Sequence, residues 1–165
     1  MFYQWMIFLH IFGAISFIYA HGASGLVAFR LRTERDPQRI RAMIELYSTG
    51  RMVGLLYGSL LLLLAGGVIA GFIGHWWRFG WIWTSLGLLI AITVAMYALG
   101  TNYYSRVRKA VGMDSVQGSQ AQEAGLPVSA EELDALLKRS PAHLLALIGG
   151  GGMALILWLM IFKPF

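Results

Sequence analysis

A chain of 165 residues with 58% hydrophobic and only 13% charged residues, and a mean hydropathy of +0.64, does not suit a water-soluble fold, where about a quarter of residues carry charge. Its net charge of +5 could suggest a nucleic-acid partner. The basic residues instead gather in two short segments, the pattern of membrane loops, so no nucleic-acid interface is expected. With no cysteine, disulfides, thiolate metal sites, Cys-ligated iron–sulfur clusters and cysteine nucleophiles are all excluded.

Four long apolar segments follow in chain order, at about 2–29, 52–74, 80–104 and 143–162. Each is near or above the ~20 residues that cross ~30 Å of hydrocarbon at ~1.5 Å per residue. Without water at that depth, each backbone amide must be satisfied within its own segment, so the segments are helices. The alternating pattern of an outer-membrane barrel is absent. The first segment lacks the basic start and the cleavage site of a signal peptide and is read as retained. The expected fold is an all-α membrane protein, one domain over 1–165, formed as a four-transmembrane-helix bundle with loops at 30–51 and 106–142.

In the first loop, Asp36-Pro37 reads as an N-cap with proline at the first helical position. Ile40, Met43, Ile44 and Tyr47 then recur at helical spacing, opposite Arg39, Arg41 and Glu45. That pattern predicts an amphipathic helix on the membrane interface, as a basic lipid anchor or a partner-binding helix, or else an extension of the second span. In the second loop, Gly112 to Gly125 is polar and expected to be mobile. A capping box at Ser129–Glu132 then opens a short helix with Leu133, Leu136 and Leu137 on one face, suited to a lid under the bundle.

Orientation follows from charge. The two loops and their flanks hold eleven basic residues, and the other side only Arg78 and Lys163. The positive-inside rule then puts both loops in the cytoplasm and both termini in the periplasm of a bacterial inner membrane. Trp5, Trp76, Trp77, Trp81, Trp83 and Trp158 all fall toward the outer ends of their spans, in agreement.

Two features point to chemistry. His10 and His21 lie in the first span, eleven residues apart, within about 20° on one face but about 16 Å apart along the axis. They cannot share one metal, but each can face the bundle interior, as a hydrogen-bonding group or as a haem ligand. His75 and His143, at span ends, are weaker candidates. Glycine is the second feature, with Gly54, Gly58, Gly66 and Gly67 in the second span and Gly149 to Gly152 in the fourth. Small residues of this kind let helices approach closely, and they also suit the wall of a flat tetrapyrrole, to which Gly13 would contribute. Met6 and His10, one turn apart, form a candidate copper pair at the outer face.

Absences narrow the reading. No Asp or Glu lies within a span, which disfavours carboxylate-driven transport. There is no phosphate-binding loop, no H-E-x-x-H and no G-x-S-x-G, so no enzyme class is legible.

The stretch Leu9-His10-Ile11-Phe12-Gly13-Ala14, followed by Gly22, Gly25 and Arg30 or Arg32, resembles a group of small bacterial inner-membrane proteins. The group comprises an uncharacterised family of predicted integral membrane proteins, the copper-resistance D proteins and the HemJ-type protoporphyrinogen oxidases. The resemblance covers about thirty residues and implies a haem-associated position at His10. HemJ-type proteins carry an intramembrane lysine, whereas none lies between Arg51 and Arg106 here, so the resemblance implies no activity. The functional expectation is a protein that binds haem b or another tetrapyrrole, or serves a membrane redox complex. The alternatives are a non-catalytic scaffold or accessory subunit, self-associating through glycine faces, and copper handling.

Overall fold

The computed structural model describes residues 1–48, 50–117 and 120–165, with side chains placed for all of these except 48, 50, 115–117 and 120–122. Helix α1 spans Phe2–Thr33, α2 Pro37–Ser48, α3 Gly50–Ile73 and α4 Gly80–Ala110. After a short antiparallel ribbon of β1 (Ser115–Gln117) and β2 (Gln120–Gln122) come α5 (Ala130–Lys138), α6 (Ala142–Ala146) and α7 (Gly152–Phe162). A π-helical turn, Leu147–Gly151, joins α6 to α7 into one continuous rod. Four of these rods are long and apolar enough to cross a membrane, and the chain is a multi-pass membrane protein with an all-α four-helix bundle.

The outer surface follows from its solvent. On α1, Phe8, Ile11, Phe12, Ile15, Ile18 and Tyr19 are all at least half exposed, which suits hydrocarbon and would be unfavourable in water. At 32 residues, α1 is about 48 Å long and outruns the ~30 Å hydrocarbon core. Its last turns therefore emerge at the loop end of the bundle.

There the packing becomes that of a soluble protein. Leu31 of α1, Ile40 and Ile44 of α2, Val107 and Val111 near the end of α4, and Leu133 and Leu137 of α5 bury one another. The apolar face of α2 thus meets protein, with Ile40 at 0% and Ile44 at 3% exposure, which corrects the expectation that it rests on lipid. The polar side of α2 is engaged too. The Arg41 guanidinium donates from Nε to the Val111 carbonyl at 2.7 Å and from Nη2 to the Gly112 carbonyl at 2.9 Å, where cations offset the unpaired acceptors and negative dipole of a helix C-terminus. Gly112 is in the left-handed region with φ +69°, a conformation that costs glycine nothing.

Between α1 and α2, the Asp36 and Arg35 backbone N–H groups bond the Glu34 carboxylate and hold it below the usual carboxylate range. The helix α5 starts as its capping sequence requires, with Ser129 Oγ accepting the Glu132 N–H at 3.3 Å. Asp134 then pairs with Lys138 at 2.7 Å and with Arg35. The stretch from Gly112 to Gly125, expected to be mobile, carries the ribbon, in register Ser115↔Gln122 and Gln117↔Gln120. Residues 118 and 119 of that stretch lie outside the described residues.

At the opposite end, the turn between α3 and α4 places His75 in the left-handed region at φ 55° and starts a 3-10 turn over Trp76–Arg78. Tryptophans gather there. Trp76 lies 6.1 Å from Trp81, and Trp77 lies 5.3 Å from Trp83. The chain's last residues fold back onto them. Lys163 Nζ sits 5.2 Å above Trp76 and 5.6 Å above Trp81, and the Trp81 N–H donates to the Phe165 carbonyl at 3.2 Å.

Candidate functional site

The helices pack as two pairs, α1 along α3 and α4 along α7, while α3 and α4 meet mainly through the turn that joins them. Glycine sets how closely each pair approaches. A Cβ on Gly13 would lie 2.5 Å from the Leu63 nitrogen, and one on Gly66 would lie 2.7 Å from the His10 nitrogen. On the other pair, Ile92 fills the space a side chain on Gly152 would need. By contrast, Gly54 and Gly58 have nothing within 4 Å. The close contact belongs to Gly66 and Gly67, which corrects the expectation that Gly54 and Gly58 take part in it.

His10 lies in this seam. Its Nδ1–H donates to the Leu63 carbonyl at 2.7 Å, and its ring lies so flat on Gly67 that a Cβ there would come within 2.6 Å of Nδ1. The hydrogen bond fixes the tautomer and meets the polar demand of an imidazole among apolar side chains. Gly13, one turn on, faces α3 backbone, so that backbone occupies the place beside Gly13 where a flat group would lie. Glutamine can replace one imidazole hydrogen bond. His10→Gln should therefore keep the detergent melting temperature nearly unchanged, and His10→Ala should lower stability by about 1 kcal/mol; equal melting of both variants would contradict this assignment.

Between the two pairs lies a cavity of about 820 Å³, within the ~300–1,000 Å³ range of small-molecule sites. His21 lines it from α1, with its ring stacked on Phe17 at 5.9 Å and its Nε2 against Gly149 of the π-helical turn. Turns of this kind recur at functional sites. Gly22, Gly25 and Gly150 also line the cavity, and each has open space where a side chain would start. The walls are otherwise mostly apolar, with hydroxyls from Ser24, Tyr47, Thr101 and Tyr104 toward the loop end.

The four histidines are therefore separated in role and place. His10 clamps α1 to α3, His21 faces the cavity, His75 sits exposed in a turn, and His143 stands edge-on to Phe29 at 5.1 Å. No group of three or more His, Cys, Asp or Glu side chains able to hold a metal occurs among the described residues. The Met6 carbonyl borders Gly66, and the bond from His10 Nδ1 leaves only Nε2 with a lone pair for copper. Sequence reasoning missed the hydroxyl-bearing wall. Tyr47 read as part of the apolar stripe of α2, and nothing in its spacing from Tyr104 shows that the two rings meet beside the cavity.

No family model matches the chain, and neither a curated protein nor a solved structure matches it.

Proposed function

We propose that this chain is a membrane-embedded binding protein that takes an apolar, ring-bearing molecule from the bilayer into the cavity between its two helix pairs. The observation that carries the reading is the cavity itself, about 820 Å³ in volume, with glycines opening its walls. Helices packed only for stability close on one another, as α1 and α3 do at Gly13. The lining also includes Leu26, Tyr57 and Tyr97, each more than half exposed on the outer surface, so the cavity is reached from the side. Gly25→Trp should fill it. A purified sample should yield about one apolar molecule per chain on solvent extraction, and the variant far less. Equal content in both would favour a scaffold or accessory subunit.

A tetrapyrrole such as haem b is a second reading, supported by His21 beside the glycine-opened wall. Here His21 would hold the iron, and the group would supply redox or gas-binding chemistry. Haem reconstitution should then give a Soret band that His21→Ala abolishes and His10→Ala preserves, and a chain that stays colourless would retire it. The charge division also supports a bacterial inner-membrane orientation with periplasmic termini, in keeping with the likeness of Leu9–Ala14 to the copper-resistance D and HemJ-type group. A reporter after Phe165 should then read as periplasmic and one near Ser119 as cytoplasmic, and the reverse result would overturn it.

A further inference from the structure

The polar groups in the middle of the cavity are hydroxyls and an imidazole, and their arrangement narrows what can occupy it. Tyr47 and Ser24 line the same cavity, and the Ser24 hydroxyl donates to the His21 carbonyl at 2.6 Å. The Tyr104 ring packs beside that of Tyr47, with ring centroids 5.7 Å apart. His21, Ser24, Tyr47 and Tyr104 thus form a polar strip along the cavity, drawn from α1, α2 and α4. Among the described residues, the Tyr104 hydroxyl and the His21 ring nitrogens have no hydrogen-bonding partner. Each can donate, and polar groups at this depth gain most from a partner that accepts.

Charge is confined to the loop end of the cavity. Among the described residues, the charged residues that line the cavity are Arg108 and Asp114. Arg108 Nε donates to the Asp114 carbonyl at 2.6 Å, and Asp114 Oδ1 accepts the Ala124 N–H at 2.8 Å. An anionic or cationic head placed against the strip would meet only Arg108 and Asp114, which already bond within the protein, and would carry the desolvation cost of a buried ion. A carbonyl oxygen has no such cost and can only accept. A flat ring bearing carbonyls fits in front of Gly22 and Gly25, where there is open space, and an apolar tail can leave past Leu26 and Tyr97 into the bilayer.

We infer that the cavity is a site for a membrane quinone, a neutral carbonyl-bearing ring on an apolar tail, with Tyr104 and His21 as hydrogen-bond donors to its oxygens. This rests on the binding reading above and adds the ligand class. The test uses the full chain in phosphatidylcholine nanodiscs, equilibrated with a short-tailed benzoquinone and compared with empty discs. Saturable uptake of one quinone per chain is expected. Tyr104→Phe and His21→Leu should each weaken it by roughly fivefold, as loss of one hydrogen bond does. Their melting curves should stay unchanged, because neither group bonds the protein. A tail-matched alkylbenzene without carbonyls should bind more weakly, and equal binding would overturn the assignment of the donors. If no quinone saturates the site but an extracted phospholipid or haem is lost on Gly25→Trp, the quinone assignment falls and the binding reading stands. If Gly25→Trp changes the content of no apolar molecule, both fall.

Discussion

Gly13→Leu should cost the bundle about 3 kcal/mol or more, and Gly58→Leu on the partner helix should cost almost nothing. In a bilayer, helices gain little from hiding apolar surface, because lipid is as apolar as leucine. Close van der Waals contact between backbones therefore carries much of their association. Gly13 is where α1 comes nearest to α3, with a Cβ there falling 2.5 Å from the Leu63 nitrogen and 2.9 Å from its Cα. Those atoms belong to a helix backbone and cannot swing aside as a side chain would. The helices must separate, and separation also lengthens the His10–Leu63 hydrogen bond, now 2.7 Å. Gly58 has nothing within 4 Å, so its leucine would enter lipid or open space. Thermal melting of the two variants in one detergent measures the contrast, and equal destabilisation would show that α1 and α3 do not meet at Gly13.

The same pair of glycines shows where sequence reading reached its limit. The four apolar rods were legible, because hydrocarbon thickness and backbone hydrogen bonding act on each segment alone. The contact between segments was not. Gly58 and Gly66 are eight residues apart, which turns the helix by roughly 80°, so α3 presents glycine on two faces. Periodicity groups residues by face but does not say which face meets a partner. His10 and His21 illustrate the same gap. Both lie on nearly one face of α1, yet one is hydrogen-bonded in the α3 seam and the other borders the cavity, because α1 meets α3 near one end and α6 with its π-helical turn near the other. In α2, Ile40 and Ile44 were legible as an apolar stripe, but a stripe facing lipid and one facing α4 and α5 have the same sequence pattern.

The second large effect is expected at that buried stripe. Leu137→Ala should destabilise the loop end by roughly 2–5 kcal/mol, the range for a fully buried leucine, and leave the four spans inserted. Leu137 is 0% exposed and packs in the cluster with Leu31, Ile40 and Val107. Three elements therefore lose contact at once when it is shortened. Polar contacts give the docked helix less support, because the Asp134 pairs with Arg35 and Lys138 are partly exposed and exposed ion pairs contribute about 0–1 kcal/mol. Once α5 loosens, the Val128 N–H that donates to the Ala110 carbonyl at 3.0 Å should be released, and the segment between α4 and α5 should become open to proteases. Limited proteolysis in detergent or nanodiscs reads this directly. Cleavage between Gly112 and Ser129 should accelerate by one to two orders of magnitude, as a destabilisation of about 2–3 kcal/mol implies when opening is fast relative to cutting. Leu126→Ala serves as the control, since Leu126 is 93% exposed and its truncation removes no packing. Equal cleavage of the Leu137 variant and the parent chain would mean that α5 is held by its ion pairs, and the buried cluster would then lose its place as the anchor of the loops.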